Sequence, residues 1–95
     1  MTGAATTRTL TPIGEIDIAS AGRVRSALAA AFAEGVETLV LDLEQTTFMD
    51  STGVHIVLEC QKRAQAQEVH FVVLPGPPGV QRLLELCGVR NRITA

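Results

Sequence analysis

The chain has 95 residues, enough for one hydrophobic core and not for two. Hydrophobic residues make up 46%, with three Phe and no Trp or Tyr, so the core is aliphatic and offers no aromatic platform for nucleic-acid bases. A formal net charge of −2 argues against a polyanionic partner; with no signal-like opening and no apolar run near the ~18 residues of a membrane span, a soluble, cytoplasmic protein with no membrane insertion is expected.

In chain order, residues 1–7 are small and polar and are expected to be loose. Arg8 to Ile16 alternates enough to be a strand, but Pro12 removes a ladder donor and Gly14 weakens its centre, so it suits an edge or a bulged strand. Ser20 is placed to cap a helix running to about Ala33, with Val24, Leu28, Ala31 and Phe32 on its apolar face and Gly35 as its stop. Leu39–Leu43, four aliphatic residues and Asp42, predicts a buried strand, followed by a short loop.

From Ser51 the apolar spacing becomes helical and continues to about Ala66. Gly53, Ile56, Val57, Cys60 and Ala64 fall on one side, and Ser51, Thr52, His55, Glu59 and Lys62 on the other. Asp50 and Ser51 are both good N-cap residues; with Asp50 as cap, Met49 and Val54 take the positions of a hydrophobic staple. Val69–Leu74 reads as a second buried strand, Pro75 to Gly79 breaks regular structure, and Val80, Leu83, Leu84 and Cys87 are the stripe of a third helix from about Pro78 to Cys87. Gly88 and Val89 suit a Schellman ending, and Ile93 is the apolar anchor of the tail. Strand, helix, strand, helix, strand, helix implies right-handed crossovers and a largely parallel sheet.

The residues that carry chemistry exclude more than they admit. Cys60 and Cys87 are expected to be unbridged thiols on helix core faces, and His55 and His70 have no partner at metal-ligand spacing. Ser51 and His55 at i,i+4, with Asp50 beside them, lack the orienting partner, the oxyanion donors and the water exclusion a hydrolase needs. No Gly-rich loop with Lys follows a strand, and Asp42 lacks the acidic pair and later Lys of a receiver domain. No enzyme is expected. What remains is a hydroxyl displayed at a helix start beside a carboxylate.

That stretch, Phe48-Met49-Asp50-Ser51-Thr52-Gly53 and the aliphatic run behind it, resembles the phosphorylation motif of the STAS domain, in particular that of bacterial anti-sigma factor antagonists. Gly14-Glu15-Ile16-Asp17 is similar to the family tetrad that ends the strand before the first helix, and Val80 to Val89 to its C-terminal helix and glycine. The resemblance implies one STAS-like α/β domain over residues 1–95, a small, mostly parallel sheet with crossover helices and a C-terminal helix. It makes Ser51 the phosphoacceptor and Thr52 the following position, which is not the usual acceptor. It places partner binding on Asp17, Asp50, Ser51, Thr52, Gly53, His55 and Glu59. The partner would be an anti-sigma factor that is also a serine kinase and supplies its own ATP, so the domain needs no cofactor; a phosphatase is a further partner. The unphosphorylated domain would bind that kinase and release the sigma factor.

Two residues depart from the pattern. Gly22 stands where relatives often have Pro, and His55 where they commonly have glycine. His55 is either a solvent-facing residue paired with Glu59 at i,i+4, or a group that reshapes the docking face or contacts the phosphate. Other members of the family act as subunits of lipid-transporting ATPases or as scaffolds of stress-signalling assemblies, which makes a non-switching docking module the alternative.

Overall fold

The protein is described by a computed structural model covering residues 6–86. Chain order is β1 (Thr7–Leu10), β2 (Gly14–Ile16), α1 (Ala21–Ala33), β3 (Thr38–Asp42), β4 (Thr46–Met49), α2 (Ser51–Gln67), β5 (His70–Leu74) and α3 (Pro78–Leu86). Every ladder is parallel: β1-β3-β5 form a three-stranded sheet and β2-β4 a two-stranded one. Between parallel strands lie the helical crossovers that such pairing requires.

The expected single strand over Arg8–Ile16 is two strands with different partners. Thr11-Pro12-Ile13 interrupts it, and Gly14 takes a φ of +96°, a conformation that suits glycine. β1 pairs Thr7 with Thr38 and Leu10 with Leu41; β2 slips one residue between Gly14 and Glu15, then pairs Ile16 with Met49. Thr7, expected to be loose, belongs to β1. β4 was expected to be loop. Its first residue, Thr46, is fully buried and its Oγ1 donates to Pro12 O at 3.4 Å, tying the new ladder to the interruption.

β3 is buried on one face only: Leu39 and Leu41 are sealed, while Thr38, Val40 and Asp42 are half-exposed. Leu43, expected at the strand's end, lies just past it in the core. Leu39, Leu41 and Leu43 meet Leu28, Ala31 and Phe32 of α1 and Val54, Ile56 and Val57 of α2 in one aliphatic core, which Val80 and Leu84 of α3 complete. Each such buried side chain contributes about 1.5–3 kcal/mol relative to exposure. Met49 and Val54 are both buried, as their staple positions require.

Helix ends follow local chemistry. Gly35, at φ +75°, closes α1 as expected. α2 runs past the expected Ala66 and ends on Glu68 in the left-handed region (φ 59°), with Val69 N donating to Ala64 O at 2.8 Å. Ser20 stands at the N-cap of α1 but makes no cap bond; its hydroxyl instead donates to Glu15 O at 2.8 Å. Cys87, Gly88, Val89 and Ile93 lie outside the described residues. No described helix is long and apolar enough to cross a membrane.

Candidate functional site at the start of helix α2

The β2-β4 ladder ends at the pair Ile16–Met49, and both chains leave it at the same end of the domain. One enters the turn Asp17-Ile18-Ala19-Ser20; the other enters α2 through Asp50. Asp50 N donates to Ile16 O at 3.4 Å and links the two exits. Asp17, Asp50, Ser51 and Thr52 are therefore brought together, though the two aspartates are 33 positions apart in sequence (50 minus 17).

Each aspartate shapes its own backbone. Asp17 Oδ1 accepts from Ala19 N (3.0 Å) and Ser20 N (3.1 Å), while Asp17 N donates to Ser20 Oγ at 3.0 Å. Asp50 has extended backbone (φ −110°, ψ −167°) and its Oδ1 accepts from Thr52 N at 2.9 Å, the cap its position predicted. Ser51 is the first residue of α2 and is exposed; among the described residues its hydroxyl has no protein partner. Thr52, one residue on, is half-buried. A serine at this position presents its hydroxyl beside the positive end of the helix dipole.

The remaining expected residues divide. His55 is exposed one turn beyond Ser51. Glu59 is exposed, but its carboxylate is held by Arg25 of α1, with Nε at 3.1 Å and Nη2 at 3.4 Å, and not by His55. Gly53, set on the apolar side of α2 by its spacing and named by the resemblance among the partner-binding residues, is buried: a Cβ there would overlap the Met49 side chain and press on Ile16 Cγ2 at 3.2 Å. Its part is to let α2 settle onto the strand ends that present Ser51. Cys60, a buried free thiol, is pushed up to about 11, first by desolvation and then by Glu59, and is unreactive as a nucleophile.

Sequence reasoning missed Ile18 and Phe48. Ile18, in the Asp17 turn, is 84% exposed, and Phe48 of β4 is 50% exposed. An isoleucine in a hydrogen-bonded turn beside two aspartates could have been noticed as an apolar residue with no periodic run to belong to. The Asp17 turn and the start of α2 together carry an exposed hydroxyl, two carboxylates hydrogen-bonded to backbone N–H groups and, on Ile18, an uncovered aliphatic side chain.

A family model described as STAS domain matches residues 2–95. An anti-sigma F factor antagonist of Lysinibacillus sphaericus is 30% identical over 77 residues, 80% of this chain and 66% of that protein, so the match leaves about a third of the relative uncovered. Among solved structures, an anti-sigma factor antagonist from Mycobacterium paratuberculosis superposes with a TM-score of 0.83 at 26% identity, covering 93% of this chain and 74% of that one. The anti-sigma factor antagonist SpoIIAA in its unphosphorylated form gives 0.78 at 24% identity, covering 94% and 78%.

Proposed function

This chain belongs to the STAS domain family, and on that premise we propose that it is an anti-sigma factor antagonist whose binding is switched by phosphorylation of Ser51. The unmodified domain docks a serine-kinase-type anti-sigma factor through the Asp17 turn and the start of α2. The kinase then transfers the γ-phosphoryl group of its own ATP to Ser51 Oγ; the hydroxyl proton is lost and ADP leaves. The observation that carries this reading is the exposed Ser51 hydroxyl, without a hydrogen-bond partner among the described residues, on the first residue of a helix capped by Asp50.

The energetics suit a switch without refolding. A phosphate adds about −1.5 to −2 charge at neutral pH. At the helix N-terminus that charge is stabilising by about 0.3–1 kcal/mol, so the modified domain stays folded. In the interface the same charge lies against whatever the partner had packed on Ser51. Stranding an unpaired charge costs about 3–5 kcal/mol, a hundredfold or more in affinity. Thr52 is a poor competitor as acceptor, because one residue turns the helix by about 100° and Thr52 is half-buried.

The test is incubation with a candidate kinase-type anti-sigma factor and ATP, with the site mapped by mass spectrometry. Phosphate on Ser51 is expected. Ser51→Ala should bind and resist release, and Ser51→Asp should bind more weakly, though less so than the phosphoprotein, since Asp brings one charge and two oxygens. Phosphate on Thr52 alone overturns the assignment. None on either residue leaves a constitutive docking subunit, of a lipid-transporting ATPase or a signalling scaffold.

A further inference from the structure

We propose, resting on Ser51 as the phosphoacceptor, that His55 is a built-in counter-ion for the phosphate, an i,i+4 partner carried on the docking face itself. Both residues are exposed on α2 and stand one turn apart, a spacing that places their Cβ atoms about 5–6 Å from each other. Helical side chains tend to lean toward the N-terminus, a direction that lets the imidazole of His55 reach a phosphate on Ser51 by rotamer choice; in the unmodified protein His55 lines a groove with Leu58, Glu59 and Lys62. The order is the favourable one, anion first and cation four residues later.

The surrounding charges leave this pairing open. Glu59, one turn beyond His55, is engaged by Arg25 of α1. Lys62 lines the same groove as His55 and Glu59 but on the far side from Ser51. Asp50 is the cap of α2, and Asp17 closes the turn at the end of β2. Of the strands packed on α2, β4 has no titratable side chain and β5 has only His70. Between Ser51 and Lys62 on α2, His55 is the sole residue that can bear positive charge.

The chemistry of the pair is a shared titration. The phosphate's negative charge one turn away favours the protonated imidazole, and the imidazolium in turn favours the fully ionised phosphate, so the two titrations are coupled. At neutral pH the phosphate is partly neutralised by its own helix; at pH 8 it faces the partner with its full charge. The phosphorylated form therefore repels its partner more strongly as pH rises through neutrality.

The experiment places phosphoserine at position 51 during translation with an expanded genetic code and reads both imidazoles by 15N NMR at pH 7. The protonated fraction of His55 should rise about twofold over that in unmodified protein at low salt, and the gain should shrink in 0.5 M salt. His70 should not change and serves as the internal reference. In His55→Gln the 31P resonance should titrate at a higher pH than with His55 in place. A His55 that gains no protonation, or gains no more than His70, overturns the proposal. Because no kinase takes part, that result is separate from the mass-spectrometric test of Ser51 as acceptor.

Discussion

A methyl group added at Gly53 would run into Met49 and crowd Ile16, the two side chains at the end of the β2-β4 ladder. Gly53→Ala is therefore expected to destabilise the domain by about 1–3 kcal/mol, read as a lower denaturation midpoint with an unchanged slope. The same substitution would lift the first turn of α2 away from the strand ends, so partner binding should weaken even under conditions where the fold survives. Gly22 makes the contrast: nothing lies within 4 Å of its added Cβ, so Gly22→Ala, inside α1, should be tolerated. At this scale the site was largely legible. Asp50, Ser51 and Thr52 announce themselves because capping is chemistry within three residues of chain. Helical spacing set Gly53 on the buried side, where it lies, and only tertiary packing adds that the backbone there has no space above it.

Helix α2 ends on a glutamate held at φ 59°, where residues other than glycine are strained. Glu68→Gly should relieve that strain; offset by glycine's greater unfolded-state entropy, the net gain is about 0.5–1 kcal/mol, which thermal unfolding would record as a rise of about 2–8 °C. A fall in Tm would mean that the Glu68 side chain does more than tolerate the cap. Nothing in Gln67-Glu68-Val69 marks this ending, which is why the helix was expected to stop near Ala66. The strands show the same division. β3 and β5 were legible from continuous aliphatic runs, whereas β4, Thr46-Thr47-Phe48-Met49, is buried at both ends and exposed between, a pattern with no period of two. Pro12 and Gly14 were read as weakening one strand. They divide it, because a residue without a donor two positions before one at positive φ lets the chain leave β3 and pair with β4.

For the molecule as a whole, Cys60 sets an alkaline limit. Burial raises its thiol to about 11 from the ordinary value of 9.0, so the unfolded chain gives up this proton first as pH rises. Stability contributed by the neutral thiol is thus complete below about pH 9 and is lost as pH climbs toward 11. Denaturation midpoints measured across that window should fall, and Cys60→Ala, though less stable at pH 7, should fall less; parallel curves would refute the assignment. Asp17 and Asp50 have already fixed the backbone on either side of Ser51 through hydrogen bonds to Ala19, Ser20 and Thr52. A protein docking there meets a surface with little left to order, so most of the conformational entropy lost on association comes from the other side. Calorimetry of such a complex should then give a heat-capacity change governed by the apolar area that Ile18 brings out of water, with almost no signature of folding from this surface.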